Sequence, residues 1–277
     1  MSRNIFSRLF RHKLALVGMV IVALLILLAV LAPFIAPYSP TDQDLLNRFD
    51  PPSLKHPFGT DSYGRDIFSR VIFGTRISFY IGALAVGISS LIGVTLGALG
   101  GYFGGWSDSL IQGGVDTTWA FPAVLAGLAL SALFGASLTN VMIAVALVYW
   151  GRYARITRGD VLAIKEREYV KAAHAAGASD LRVLFKHIFP NAIPSAIVVA
   201  SLMFGDAIAV EATLSFLGMG AQPPTPSWGA MLSQGRSYMR MAPWISLFPG
   251  FAIVTVILAF NLLGDGLRDA LDPKLKY

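Results

Sequence analysis

Acidic residues within an apolar stretch are the side chains of this sequence best placed to do chemistry. Asp206 and Glu211 lie in the run 193–217, which is otherwise apolar or small. If that run crosses a membrane, an ionisable residue there is costly and usually faces a bundle interior or an aqueous cavity. We therefore predict that each residue lines a translocation path, with a buried hydrogen bond to a neighbouring helix as the alternative. Five positions apart, they lie about 140° apart around a helix and need not share a face.

Other chemistries find little support in the sequence. It contains no GxxxxGK[ST] phosphate-binding loop and no cysteine, and its four histidines lack metal-ligand spacing. No Ser, His and Asp set falls on one side of a membrane at a plausible depth. We therefore predict no metal site, no bound cofactor and no enzymatic activity. Any energy for uphill work would come from another subunit.

The composition indicates an integral membrane protein with an all-α fold. The chain is 55% hydrophobic and 14% charged, whereas soluble domains carry about 25% charged residues. A membrane-spanning helix needs about 20 apolar residues, and unpaired backbone groups are not tolerated in lipid. Six stretches qualify as helical spans, near 14–36, 78–102, 113–135, 138–157, 193–217 and 244–264. The third contains Phe121-Pro122, which predicts a kink.

The basic residues predict the orientation of these spans. If the N-terminus is cytoplasmic, the inside segments hold 15 of the 22 Lys and Arg residues, which favours N-in and C-in. Topology then accounts for most of the net charge of +6, so lipid rather than nucleic acid is the expected partner. The predicted organisation is a cytoplasmic tail (1–13), the first span (14–36), an extracytoplasmic loop (37–77), a helical core (78–265) with a cytoplasmic loop (158–192), and a cytoplasmic tail (266–277).

The extracytoplasmic loop begins with proline-rich irregular chain and ends in a predicted amphipathic helix. Thr60 or Asp61 can cap this helix, because their oxygens accept from the free amides of the first turn. Asp66 and Arg70 are four residues apart and can pair on one face. The helix would lie on the membrane or act as an external lid or partner contact.

Glycines recur every fourth residue along the second span, at Gly93, Gly97, Gly101 and Gly105. Such a strip lets another helix approach closely, which is how helices pack in lipid. We predict ordinary internal packing here, and the alternative is a strip that slides during a conformational cycle.

The cytoplasmic loop 158–192 contains a predicted short helix that begins at Glu168. Ala172 and Ala173 give it little side-chain bulk, and Gly177 can end it in a left-handed cap. A second helix follows before the chain turns at Pro190 into the fifth span. The first helix can enter a cleft on a partner protein, or it can lie on the lipid interface.

This loop resembles the EAA loop of ATP-binding-cassette importer permeases. The spacing of Ala172, Ala173, Gly177 and Pro190 agrees with the family pattern. The sequence departs from that pattern at three positions, where Lys171, His187 and Phe189 replace Glu, Ile and Leu; these departures are small for the peptide branch.

Further segments are similar to the second permease subunit of the di- and oligopeptide branch, which also includes glutathione and nickel systems. They are HPFGTDSYGRDIFSR, GYFGGWSD, LSFLGMGAQPPTPSWGAML and AFNLLGDGLRDALDPKLK. Together with the loop, they extend the resemblance over nearly the whole chain.

The resemblance implies a type I importer permease fold and a multi-pass protein of the bacterial inner membrane. A second, homologous permease would pair with it, two ATPases holding ATP and Mg²⁺ would dock on the loop, and an extracytoplasmic binding protein would deliver di- or oligopeptides. The residues implied to couple to the ATPases are Glu168, Tyr169, Ala172, Ala173, Gly177 and Pro190. Nickel or glutathione is the alternative substrate. A hypothesis from another class is an ion-gradient-driven transporter with Asp206 and Glu211 as proton sites.

Overall fold

The computed structural model describes residues 12–271, and every regular element in that range is helical. Short 3₁₀ turns occupy Leu45–Asn47 and Arg236–Tyr238, and a π-helical turn occupies Leu184–Ile188. The helices are α1 (Lys13–Ile35), α2 (Ile67–Phe103), α3 (Gly105–Trp119), α4 (Ala123–Phe134), α5 (Leu138–Lys165), α6 (Glu168–Ala175), α7 (Asp180–Val183), α8 (Phe189–Phe216), α9 (Trp228–Gly235) and α10 (Trp244–Leu271).

The predicted terminal tails are described only in part. The N-terminal tail 1–13 lies almost entirely outside the described residues, as does 272–277. Residues 266–271 belong to α10, so this part of the predicted C-terminal tail continues the last helix.

Length and apolar composition identify four membrane-crossing segments within residues 12–271. They are α1, α2, α10 and the continuous helix Asp180–Phe216, which joins α7 and α8 through the π-helical turn. The pair α3 and α4 adds a fifth if it counts as one broken span. Helix α5 has the length to cross, but Arg152, Arg155 and Arg158 in its C-terminal half lower its apolar character. The structure thus supports four or five spans where the sequence predicts six.

Helix α2 differs from the sequence prediction at its start. It runs unbroken for 37 residues from Ile67, so the predicted amphipathic helix and the second span are one element. Its N-cap is Asp66, which accepts a hydrogen bond from the amide of Ser69 at 2.7 Å, rather than Thr60 or Asp61. Because Ile67 and its apolar neighbours pack against α9 and α10, this first part of α2 is buried in protein instead of lying on a membrane surface.

The polar residues before α2 also pair differently from the prediction. Asp66 contacts the ring Nδ1 of His56 at 2.9 Å rather than Arg70. Asp61 accepts from Arg65 Nε at 2.7 Å, and Arg70 donates to the carbonyl of Pro40 at 2.9 Å. All five charged or ring side chains are buried, so they fix the irregular segment 36–66 against the helical core.

The third predicted span is broken. Helices α3 and α4 meet at an angle of 85° across Ala120 to Pro122. The ring of Pro122 cannot donate a backbone hydrogen bond, and the residue before a proline avoids the α region. The kink predicted at Phe121-Pro122 is therefore present, and it is large enough to separate two helices.

The glycine strip of α2 faces α5 at three of its four predicted positions. A Cβ atom on Gly93, Gly97 or Gly101 would meet the backbone or Cβ atoms of α5, at Ala154 in the case of Gly97. Gly105 differs, because it begins α3 with a φ of +59° and, in the part of the chain that the structure describes, has no neighbour within 4 Å of a Cβ position. The close approach of α2 to α5 thus rests on the first three glycines.

Candidate coupling surface and membrane cavity

The segment between α5 and α8 presents a surface of mainly small and polar side chains, together with the exposed Tyr169 and Leu181. We call it the coupling surface and define it as residues 166–182. Glu168, Ala172 and Gly177 are exposed, Tyr169 is 42% exposed, and Ala173 is half-buried. The sequence-predicted residues of the loop helix thus lie together on α6 or directly after it. Pro190 lies apart from them, as the exposed second residue of α8.

Helix α6 ends in a Schellman motif, as the glycine at its C-terminus predicts. The amide of Gly177 donates to the carbonyl of His174 at 2.9 Å, and the amide of Ala178 donates to Ala173 at 3.1 Å. The φ angle of Gly177 is +81°. A side chain is disfavoured at this φ, so the turn that ends α6 depends on glycine.

The underside of the coupling surface is anchored in a hydrophobic cluster. Val170 of α6 is fully buried there, next to side chains from the ends of α2 and α5 and from the first turns after α6. Those side chains are Ala98, Tyr102, Val161, Ile164, Val183, Leu184 and Ile188. Because Ala192 of α8 also belongs to this cluster, a displacement of α6 is resisted by α2, α5 and α8 together.

One tyrosine ties both short helices of the loop to α2. The hydroxyl of Tyr102 donates to Asp180 at 2.8 Å and lies 3.1 Å from the ring Nε2 of His174. The ammonium of Lys165 donates to the backbone carbonyl of Tyr102 at 2.7 Å. Sequence reasoning missed this contact, since Tyr102 is 78 residues from Asp180 and sits in an apolar stretch.

Pro190 does not mark the turn that the sequence predicts. The chain runs as one helix from Asp180 to Phe216, and the irregularity is the π-helical turn before it, where the amide of Phe189 donates to Leu184. Pro190 has no amide hydrogen to donate, and it occupies the first turn of α8. The coupling surface is therefore continuous with the fifth predicted span.

Asp206 lies beside an arginine at the edge of a cavity. Arg152 Nη1 is 3.5 Å from Asp206 Oδ2, and both side chains are about half exposed, at 50% and 51%. The cavity has a volume of about 330 Å³, and its walls include Trp119, Tyr149 and the Phe121-Pro122 break. Asp206, which the sequence predicts to line a translocation path, thus lies at a cavity next to the break between α3 and α4.

Glu211 has a different environment. It is fully buried, and its Oε1 atom accepts hydrogen bonds from Ser215 at 2.7 Å and Ser227 at 3.0 Å. Ser227 caps α9, so the carboxyl joins α8 to the start of α9. The structure therefore places Glu211 in the hydrogen-bonded setting given as the alternative and does not bring it together with Asp206.

Arg152 is one of three arginines that sequence reasoning counted only as topology signals. Arg152, Arg155 and Arg158 follow each other at intervals of three along α5, and each pairs with an aspartate of another helix. Their partners are Asp206 of α8, and Asp116 and Asp108 of α3. The i, i+3 spacing was the available signal, because such residues share a helix face.

The family of the chain follows from sequence comparison. Residues 93–277 match the family described as the binding-protein-dependent transport system inner membrane component. The chain belongs to this family. Residues 1–52 also match the N-terminal TM domain of oligopeptide transport permease C. The resemblance to ATP-binding-cassette importer permeases of the peptide branch is thereby confirmed, as is the location in the inner membrane.

Three relatives illustrate the similarity within the family. The dipeptide transport system permease protein DppC of Alkalihalophilus pseudofirmus is 46% identical over 274 residues, which is 99% of this chain and 90% of that protein. The glutathione transport system permease protein GsiD of Pectobacterium atrosepticum is 46% identical over 277 residues, 99% of this chain and 91% of the relative. The GsiD protein of an Escherichia coli strain is 48% identical over 275 residues, 98% of this chain and 90% of the relative.

Proposed function

We propose that this chain is the permease subunit of an importer that carries di- and oligopeptides across the bacterial inner membrane. Family membership and the relatives named as dipeptide and peptide transport permeases support this assignment. Glutathione is the second candidate substrate, because relatives named as glutathione permeases reach 48% identity. Glutathione is itself a short peptide, so both candidates carry a free ammonium group and free carboxylates.

The proposed topology has six spans with both termini in the cytoplasm. The spans are α1, α2, the bent pair α3 and α4, α5, α8 and α10. The distribution of Lys and Arg supports this orientation. It puts the coupling surface in the cytoplasm and the segment 36–66 outside, where a substrate-binding protein would dock.

The proposed energy source is a pair of ATPase subunits that bind ATP and Mg²⁺ and dock on this chain and on a second, homologous permease. The observation that carries this step is an exposed helix with small alanine side chains on a rigid base. Ala172 and Gly177 of the coupling surface are exposed, while Val170 is buried in the cluster that α2, α5 and α8 share. ATP binding would draw the ATPases together and tilt the permeases outward-open, and hydrolysis would reset them.

The proposed path for substrate lies between the two permeases, beside Asp206. Its half-exposed carboxylate at the cavity supports this role. Glu211 is assigned instead to holding the connection between α8 and α9, because its carboxyl is enclosed by the chain itself.

Docking can be tested with a bulky side chain on α6. In a complex reconstituted with both permeases, both ATPases and the binding protein, we expect Ala172→Trp to block ATPase binding and ATP-driven uptake of the dipeptide alanyl-phenylalanine. The control is Ala132→Trp, which places the same bulk on exposed α4, near the opposite end of the 28-residue helix α5. Normal ATPase binding and coupled uptake by Ala172→Trp would contradict the docking role.

The same system tests the alternative class. Uptake driven by an ion gradient in vesicles that contain this chain without ATPases would favour a secondary transporter and would refute the proposed energy source.

A further inference from the structure

Opposite charges near the middle of two membrane helices are the feature of this chain that the family assignment leaves unexplained. Arg152 lies midway along the 28 residues of α5, and Asp206 lies past the midpoint of the 28 residues of α8. Ionisable residues on helices that cross a membrane are expensive and usually mark a path for substrate, ions or protons. A half-exposed ion pair contributes little stability by itself, so stability gives no strong reason for this pair.

The pair is held loosely compared with its neighbour on the same helix. Arg152 and Asp206 share one contact at 3.5 Å, and the other contact of Arg152 is with the sulfur of Met203 at 3.2 Å. Arg158 and Asp108 instead form two hydrogen bonds of 2.6 Å each. The guanidinium of Arg152 and the carboxylate of Asp206 therefore keep most of their hydrogen-bonding capacity.

The adjoining cavity has the size and walls of a small-molecule site. Its volume of about 330 Å³ lies at the lower end of the range of roughly 300–1,000 Å³ for ligand pockets. Trp119, Phe121 and Tyr149 provide aromatic walls, and Arg152 and Asp206 are the charged groups among the described residues that line it. Such a cavity combines one cation, one anion and aromatic surface within a single site.

We propose that Arg152 and Asp206 form a binding subsite for the termini of a zwitterionic short peptide during its passage through the membrane. The ammonium of the peptide pairs with Asp206, the carboxylate pairs with Arg152, and apolar side chains lie against the aromatic walls. The ion pair of the empty site opens as the ligand enters, so each charge exchanges one partner for another and no charge is left unpaired. This inference rests on the proposed function, since it names the ligand chemistry of the proposed path.

The test measures binding to the permease without the binding protein, which would impose its own selectivity. The assembled complex of two permeases and two ATPases is placed in nanodiscs, and tritiated alanyl-phenylalanine is the probe. We expect saturable binding, with N-acetyl-alanyl-phenylalanine and alanyl-phenylalanine amide each competing at least about tenfold more weakly than the unmodified dipeptide, because each lacks one charge-assisted hydrogen-bonding group.

The variants separate recognition of a terminus from a structural role. Asp206→Asn is expected to remove discrimination against the N-acetylated peptide while keeping that against the amide. Arg152→Gln is expected to do the reverse. The control is Arg158→Gln, the same change further along α5, at a residue that pairs with Asp108 and does not line the cavity, and it is expected to leave both preferences intact.

Three results would overturn the subsite. The first is a uniform loss of affinity for all three peptides in both variants, which a structural ion pair would give. The second is an equal effect of Arg158→Gln. The third is no binding of the probe to the wild-type complex, although the same complex with its binding protein imports the dipeptide. That third result would leave the proposed function standing, whereas binding without ATP-driven import would refute the proposed function alone.

Discussion

Replacement of Gly177 tests whether the backbone geometry of the coupling surface matters for transport. This glycine ends α6 with a φ of +81°, and no atom of residues 12–271 lies within 4 Å of the position that a Cβ atom would take. The hydrogen bond from its amide to the carbonyl of His174, and the one from the amide of Ala178 to the carbonyl of Ala173, close the Schellman motif. The Cβ atom of a new side chain would therefore meet no steric obstacle among the described residues, and its cost comes from the backbone.

The magnitude follows from that backbone cost. A left-handed φ costs an L-residue roughly 1–2 kcal/mol, and this corresponds to a factor of about 5–30 in a population ratio. Asparagine tolerates the left-handed region better than other residues with a side chain, and β-branched valine tolerates it worst. We expect the ordered form of the α6 terminus to decrease in the order Gly177, Gly177→Asn, Gly177→Ala, Gly177→Val.

The readout is the coupling ratio, meaning dipeptide imported per ATP hydrolysed in proteoliposomes that contain the complete transporter. We expect this ratio to fall in the same order, with amounts of inserted permease unchanged. Gly159→Ala is the matched control, because Gly159 lies within the neighbouring helix α5 and also has open space around its Cβ position. Alanine in a helix interior replaces glycine favourably, so the control should couple normally.

The order of the variants decides between backbone strain and bulk. A loss that follows side-chain volume, with Gly177→Asn worse than Gly177→Ala, would refute the strain argument and indicate direct packing against the ATPase. Full coupling in Gly177→Val would refute any role of this turn in coupling.

Two further predictions concern the helical core, and thermal unfolding of the purified complex checks both. Glu211→Gln should keep the melting temperature near that of the wild type, because an amide oxygen still accepts from Ser215 and Ser227; Glu211→Leu should lower it, since each unpaired hydroxyl costs about 1–3 kcal/mol. Equal destabilisation by Gln and Leu would mean that the charge itself is required. Gly97→Leu should destabilise the complex by about 1–3 kcal/mol or more, because the Cβ atom of the new leucine would overlap the backbone of α5. Its control is Gly87→Leu, at an exposed site where no described residue lies within 4 Å of the Cβ position. An equal loss in both variants would contradict the close-packing argument.

The sequence predicts those features that depend on local chemistry. Apolar runs locate α1 and α8 within a few residues, because hydropathy acts along a single helix. Gly177 predicts the end of α6, since the Schellman turn involves only neighbouring residues. Phe121-Pro122 predicts the break between α3 and α4 for the same reason, although the pattern of residues does not give its angle.

Features that depend on how helices are rotated against each other were not predicted. The pairing of Arg152 with Asp206 joins residues 54 positions apart, and its existence depends on which faces of α5 and α8 meet. The hydrogen bond from the hydroxyl of Tyr102 to Asp180 was not predicted for the same reason, since it depends on which face of α2 meets the loop. The start of α2 was misplaced because the polar residues before it suggest an exposed segment, whereas in the fold those residues satisfy one another in a buried cluster.

The geometry also relates the coupling surface to the cavity. Asp206 lies on the helix that begins at Asp180, roughly 40 Å along its axis at about 1.5 Å per residue. Arg152 lies on α5, whose end at Ile164 packs under the coupling surface. If the helix Asp180–Phe216 rotates at that base by about 5° relative to α5, the carboxylate of Asp206, roughly 40 Å away, moves by roughly 3 Å. A displacement of that size is comparable with the 3.5 Å separation of the pair. If ATPases dock on the coupling surface as proposed, a small movement of them would be sufficient to open or close this charge pair, and the affinity for a zwitterionic ligand would then depend on the state of the ATPases.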